Sequence, residues 1–417
     1  MTVEADHFPQ LVKLITRNFM QDPYSDLAEI RCARAATPIE NNGLRMWVVG
    51  RYDDARTVLA DQGLRKDLVL KRREILAQSL VRPERRPRLP VEIRRNMLDR
   101  DEPDHTRLRG LLASSFTTAK AELLRPKVEQ LVTELLDRLP LDRPVELIGE
   151  FIRPLAVTVI ADLLGVPSDD RDQFPNWEND ILTSPDLPEI EQAGAALVSF
   201  ARKLIARKGI EPADDLLTGL VGDHQQGVLD DAELVSMVTL MLIAGMEPGS
   251  AIANGVFTLL QHPDQWEKLV TDPTLLPGCV DEILRFESPF RMLTPRFSDC
   301  PMQLGEVTIP ANELILVSVA AANRDPAKFP DPDNFDITRT ARGHLGFGRG
   351  NHRCLGAHLG VLEMQIALEG LRSRFPNMAL AVPVSDVSWR PGMFMRRLFT
   401  LPVRLDNTTA GARAEQA

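Results

Sequence analysis

Apolar positions in this chain mostly recur three or four residues apart, and period-two alternation is confined to a few short runs. Long helical patterns dominate from His105 to Ala206. Asp230 and Asp231 open a further helical stretch that runs to about Gln261. Leu234, Met237, Val238, Met241, Leu242, Ile243 and Ala244 make it apolar on most faces, which predicts a buried helix. Near the start, Met46–Val49 is β-like and is followed by a helix from Arg51-Tyr52-Asp53-Asp54 through Val58 and Leu59. After Pro289 the runs shorten to the β segments Gln303–Pro310 and Leu314–Ser318. Trp389 to Leu405 alternates enough to predict one more hairpin. Pro83–Pro90 is broken by prolines and reads as a loop. The sum is a mainly α fold with small peripheral β-sheets. The small, polar stretch Asn407–Ala417 is expected to be a disordered tail.

Composition narrows the function. The 417 residues are 44% hydrophobic and 26% charged, as in an ordinary globular protein with a large core. A net charge of −10 argues against a nucleic-acid or anionic-membrane partner for the surface as a whole. Any basic docking patch is therefore local. Cys32, Cys279, Cys300 and Cys354 lack the close spacing of a disulfide framework or a cysteine-rich zinc site, which suits a reducing cytoplasm. The start of the chain is not built like a signal peptide, and no run of about eighteen apolar residues is apparent, so no membrane anchor is expected.

Chemistry concentrates in His344-Leu-Gly-Phe-Gly-Arg-Gly-Asn-His-Arg-Cys-Leu-Gly-Ala357. Gly346, Gly348 and Gly350 let the backbone take angles closed to other residues and lie flat against a large group. The loop delivers Cys354 to the start of a helix, where backbone amides are expected to favour the thiolate. The spacing Phe347-Gly348-x-Gly350-x-His352-x-Cys354-x-Gly356 resembles the haem-ligand signature of the cytochrome P450 superfamily. The resemblance spans nearly the whole chain, from Asp22-Pro23-Tyr24 to about Leu405. It implies a single domain over residues 1–406, a triangular helical prism around a buried haem b, with Cys354 as axial thiolate. Such a ligand pushes electron density onto iron and favours O–O cleavage.

Further residues fall in the family's order. The resemblance implies that His105, Arg109, Arg296 and His352 clasp the haem carboxylates, chemistry that suits a planar guanidinium. Phe347, Gly348 and Gly356 would line the cofactor beside them. Glu282 and Arg285, one helical turn apart, would join Arg339 in a structural ion-pair cluster.

One segment departs from the pattern. Ala244, Gly245 and Glu247 match the family's oxygen-side helix, but Pro248 and Gly249 replace the usual two threonines. Proline has no N–H for the Ala244 carbonyl and its ring crowds that group, so the helix is expected to open there. Ser250, two residues beyond Pro248, faces nearly the opposite way and cannot take over. Proton delivery then falls to Glu247, to ordered water or to a hydroxyl or amine of the substrate, the last being the preferred reading. Unselected replacement compensated by water is an equal alternative. Peroxide-using members also carry proline here, but after arginine rather than glutamate.

By family position, Met241, Phe290, Arg291, Met292, Leu293, Met393 and Phe394 would wall the substrate, with the Leu80–Leu98 loop and the Ile181–Ser199 region. A mostly apolar lining suits a small organic molecule. No electron-carrying segment is evident in the chain, so the resemblance implies a separate ferredoxin with its reductase, docking near Arg349 and Arg353. It also implies a cytoplasmic monomer. The expected activity is monooxygenation with dioxygen, in natural-product metabolism. Ring coupling or desaturation, peroxygenase activity and a non-enzymatic haem sensor are the alternatives.

Overall fold

The computed structural model describes residues 17–41, 44–77, 87–184 and 186–406. The segment 407–417, read from the sequence as a tail, lies outside these residues, as does part of the loop 83–90.

Helices dominate, and their ends follow local chemistry. Thr117 caps helix Thr118–Asp137 by accepting from the Lys120 amide, and Gly165 ends helix Arg153–Leu164 in the left-handed conformation (φ 70°). A π-helical turn, Ile148–Ile152, leads into the latter helix. Asp230 and Glu233 form a capping box at the head of Asp231–Ala244. The helix is apolar enough on all sides to be buried, and Leu234, Met237, Val238 and Leu242 are.

Asp231–Gln261 as a whole has the length and composition of a membrane span, which the sequence reading did not recognise. It is the core helix of a folded chain instead, packed beneath helices Phe174–Thr183 and Leu187–Ile210. It is also not continuous. Helix ends at Ala244 and resumes at Glu247–Gln261, with Pro248 in the new first turn. There its missing N–H needs no intrahelical acceptor. The expected opening is thus a clean break, bridged by hydrogen bonds from Gly245 N to Met241 O (2.9 Å) and Gly249 N to Met246 O (3.1 Å).

Helix Ala357–Arg374 packs against Thr118–Asp137, Glu247–Gln261 and Leu276–Phe286, so the segment after Cys354 is held on three sides. Three small sheets lie outside this core. In the first, β1 (Thr37–Asn41) pairs antiparallel with β2 (Leu44–Val49), which pairs parallel with β6 (Leu314–Val317). In the second, β8 (Pro402–Arg404) lies between β3 (Val145–Glu146) and β7 (Ala379–Leu380). The third is the hairpin of β4 (Met302–Leu304) and β5 (Val307–Ile309).

The hairpin expected over Trp389–Leu405 is not formed as such. Trp389 meets Leu398 in a single bridge, Met395 bridges to Phe290, and β8 leaves to pair elsewhere. Pro391 cannot donate to a ladder, and Arg396 and Arg397 turn inward to buried carboxylates.

Candidate active site

Between these helices lies a cavity of about 280 Å³ with Cys354 on one wall and Ala244, Gly245, Glu247 and Pro248 on its lining. The loop before the cysteine is closed by hydrogen bonds from Cys354 N to Phe347 O (2.8 Å) and Gly348 N to Leu345 O (2.8 Å). Gly348 (φ 67°) and Gly350 (φ 73°) take the left-handed backbone expected of them. Gly346 does not. Its role is close approach, since a Cβ there would sit 3.0 Å from the Leu284 carbonyl.

The Cys354 side chain is exposed because it opens onto the cavity. Burial raises its pKa, against opposing pulls from the Gly356 amide, Arg353 and Arg109. The Gly356 amide at the helix start pulls toward the thiolate, while the apolar surroundings oppose it.

One end of the cavity is basic. His105, Arg109, Arg296 and His352 all line it, joined by Lys66, which the sequence reading missed. The His105 and His352 ring centroids lie 4.1 Å apart with the planes tilted by 46°, and His105 Nδ1 sits 3.2 Å from Glu102 Oε1. Burial, with Lys66, His105 and Arg296 nearby, holds His352 down to about 2, so it is neutral. Arg109 Nη2 donates to the Arg353 carbonyl (2.8 Å). His105 Nε2 and Arg296 Nη1 are buried without hydrogen-bond partners. A thiol on one wall, apolar sides and, at one end, basic side chains with an unpartnered Arg296 donor fit an iron tetrapyrrole carrying carboxylates. Phe347, Gly348 and Gly356 line the same space.

The opposite region holds a buried charge triad. Arg397 pairs with both Glu247, at the helix break, and Glu178, from helix Phe174–Thr183. One cation facing two buried carboxylates leaves a net negative charge, which the low-dielectric surroundings oppose. Burial pushes Glu247 up to about 7 despite Arg397, and Glu178 adds to the rise. The proton belongs to the carboxylate pair as a unit. Glu247 Oε2 has no well-formed hydrogen bond, although the Ser250 hydroxyl lies near enough to favour the charged form. Behind the triad is a second void of about 80 Å³, lined by Ser250, Glu178, Asn179, Arg390 and Arg397 among others. Ser250 thus faces away from the main cavity, as its position on the helix requires. No sequence signal marked Arg397 or Glu178, because their meeting is purely tertiary.

Glu282, Arg285 and Arg339 do meet. Arg285 makes a bidentate pair with Glu282 (2.7 and 2.8 Å), wholly buried, and Arg339 Nε lies 3.2 Å from Glu282 Oε1. Arg285 also donates to the carbonyls of Asn323 and Pro332 and so ties the loop after β6 to helix Leu276–Phe286.

Met241, Phe290 and Leu293 line the cavity, but four residues assigned to the substrate wall do not. Arg291 is buried elsewhere, its guanidinium donating to Gly392 O (3.0 Å) and Met20 O (3.3 Å) and lying over the Phe19 ring. Met292 and Met393 are drawn into the apolar cluster of Phe19, Ile39, Val48 and Leu316, and Phe394 packs on its edge. The Ile181–Ser199 region is also kept back. Leu89 and Ile93 pack against Gly194, interposing the segment after residue 86. Of the Leu80–Leu98 loop, Met97 and Leu98 reach the cavity. Val159, Ile160, Leu240 and Leu284 supply the apolar wall instead.

The sequence model described as cytochrome P450 matches residues 189–377. The chain is 43% identical over 389 residues to cytochrome P450 107B1 of Saccharopolyspora erythraea, an alignment covering 93% of this chain and 96% of that protein. It is 40% identical over 399 residues to 6-deoxyerythronolide B hydroxylase of the same organism, covering 93% and 97%. Among solved structures, the tirandamycin C-bound P450 monooxygenase TamI superposes with a TM-score of 0.89 at 38% identity. That match covers 95% of this chain and 100% of the other.

Proposed function

The chain belongs to the cytochrome P450 family, and on that premise we propose that Cys354 is the axial ligand of haem b in a monooxygenase of natural-product metabolism. It is an oxidoreductase that acts on a small molecule with dioxygen and electrons from a redox partner. The substrate in this reading is largely apolar and larger than a simple metabolite. Support comes from the apolar walls and from two similar proteins, named for 6-deoxyerythronolide B and bound to tirandamycin C. The electron donor in this reading is a separate ferredoxin with its reductase, and the exposed Arg349 and Arg353 offer it a local basic face. The enzyme works as a cytoplasmic monomer.

Haem held by the Cys354 thiolate would supply the activation of dioxygen and the insertion of one of its oxygen atoms into a C–H bond, the other leaving as water. The chain's own residues do the rest. His105, Arg109, Arg296 and His352 hold the cofactor's carboxylates. Val159, Ile160, Leu240 and Met241 exclude water and orient the substrate. Pro248 keeps the helix open without contributing a hydroxyl.

Glu247 takes over as proton source, and the observation that carries this is its position. It lines the cavity while sharing Arg397 with Glu178 beside the second void. A carboxyl whose pKa lies near the working pH is suited to holding and giving up a proton at Oε2. On this reading the supply lies in the protein rather than in a substrate hydroxyl. The test is Pro248→Thr, with the haem spectrum, substrate affinity and product formed per electron pair measured together. The reading expects intact haem and coupling changed by less than about threefold, since Glu247 already supplies the proton. A rise of about tenfold or more would show that the missing hydroxyl, not Glu247, limits turnover.

A further inference from the structure

The basic end of the cavity contains one cation too many for the four residues assigned to it. Lys66 is placed there by main-chain pairing. Arg65 and Phe297 exchange hydrogen bonds (2.8 and 2.9 Å), which lays residue 66 beside Arg296. The Asp101 carboxylate accepts the backbone N–H groups of Lys66 (2.7 Å) and Asp67 (3.3 Å), so it faces the chain rather than the ammonium.

The Lys66 side chain is only 2% exposed, and its Nζ donates to Thr294 Oγ1 at 2.6 Å. An ammonium carries three donors, and the described residues provide no ion-pair partner. The groups around it are Arg296, His352, Asp99 and Asp101. Burial pulls its pKa down to about 7, Arg296 adds to the fall, and Asp99 and Asp101 oppose it. Arg296 Nη1 and His105 Nε2, on the same wall, are themselves unpartnered. Two buried cationic donors, Lys66 and Arg296, thus converge on one end of the cavity, where no acid is among the lining residues described. Among the described residues the acids on the lining are Glu247 and Glu363, from helices Glu247–Gln261 and Ala357–Arg374.

We propose that Lys66 is a fifth carboxylate-binding residue of this site and that its partner is a haem propionate. The inference rests on the haem reading above. The geometry favours it. Lys66 lies buried beside Arg296 on the cavity lining, and Thr294 takes only one of its three donors. A carboxylate seated against Arg296 is therefore within reach of the ammonium as well. An ammonium returned to its charged form by a carboxylate makes the strong, charge-assisted kind of hydrogen bond.

The test is the rate at which the holoprotein loses haem to a globin scavenger. Lys66→Met is expected to speed loss about tenfold or more, while Lys66→Arg stays within about threefold of the parent. Reconstituted with haem dimethyl ester, parent and Lys66→Met should lose the cofactor within about twofold of each other. Should the methionine variant fail to fold, Lys66→Gln carries the same comparison. Unchanged loss, or an equal acceleration with the ester, overturns the proposal. So does a Lys66→Met variant whose only defect is a weaker spectral response to carboxylate-bearing ligands, which would assign Lys66 to substrate. Failure of the haem reading itself looks different: the parent protein would then take up no haem and give no thiolate-type carbon monoxide spectrum.

Discussion

Glu247→Gln should flatten the dependence of stability on pH. In the folded protein burial raises this carboxyl from its ordinary 4.5 to about 7. A raised folded-state pKa means that the native state binds the proton more tightly than the unfolded chain does. Its contribution is fully present below about pH 4.5 and is lost as pH rises through about 7. The shift covers about two and a half pH units at about 1.4 kcal/mol each, or roughly 3 kcal/mol in all. The side chain is only 12% exposed, so little of this is screened by solvent. Glutamine fills the same space, has no titration and leaves Arg397 paired with Glu178. Urea unfolding of the ferric holoproteins at half-unit steps from pH 5 to pH 8 measures the effect. The parent should lose about 3 kcal/mol relative to Glu247→Gln across that range, with nearly all the difference gone above pH 7.5. Parallel stability curves would refute the reasoning, because they would mean that the triad does not hold a proton on Glu247.

Arg397→Met strands two buried carboxyls and should destabilise the protein by about 3–5 kcal/mol above pH 7; chemical denaturation checks this, and Glu178→Gln in the same chain should recover part of the loss. Arg285→Met leaves Glu282 buried with Arg339 alone, and a loss of about 3–5 kcal/mol is expected with no change in the haem spectrum of the surviving folded protein. Gly245→Ala places a Cβ against the Ile160 side chain, so thermal unfolding should show a loss of about 1–3 kcal/mol, partly relieved by Ile160→Ala.

What the sequence revealed and what it hid divide along physical lines. Cofactor chemistry is written locally. The spacing from Phe347 to Gly356, the turn-long separation of His105 and Arg109 and the proline at 248 each constrain a few neighbouring residues. Their consequences follow from backbone geometry alone. The break at 245–246 is legible for the same reason, since a proline states where a helix must stop donating. Pairings between distant segments are not written that way. Nothing around Arg397 says that it will lie between Glu178 and Glu247, and nothing around Lys66 says that a bridge at Arg65 will set it beside Arg296. The substrate wall shows the same limit from the other side. Arg291, Met292, Met393 and Phe394 have the right composition for a pocket, but Phe19 and Met20 at the other end of the chain claim them. Their place depended on packing, which one-dimensional order does not carry.

The central claim is that Glu247 supplies the proton that a distal threonine would otherwise help deliver. The most direct measurement is product formed per pair of electrons consumed, for the parent and Glu247→Gln, at pH values from 6 to 8 with the redox partners in excess. The account predicts that Glu247→Gln keeps its haem spectrum and substrate affinity while product formation falls about a hundredfold and electrons are diverted to reduced oxygen. A Glu247→Gln enzyme that couples electrons to product as well as the parent, with the same pH profile, would contradict it.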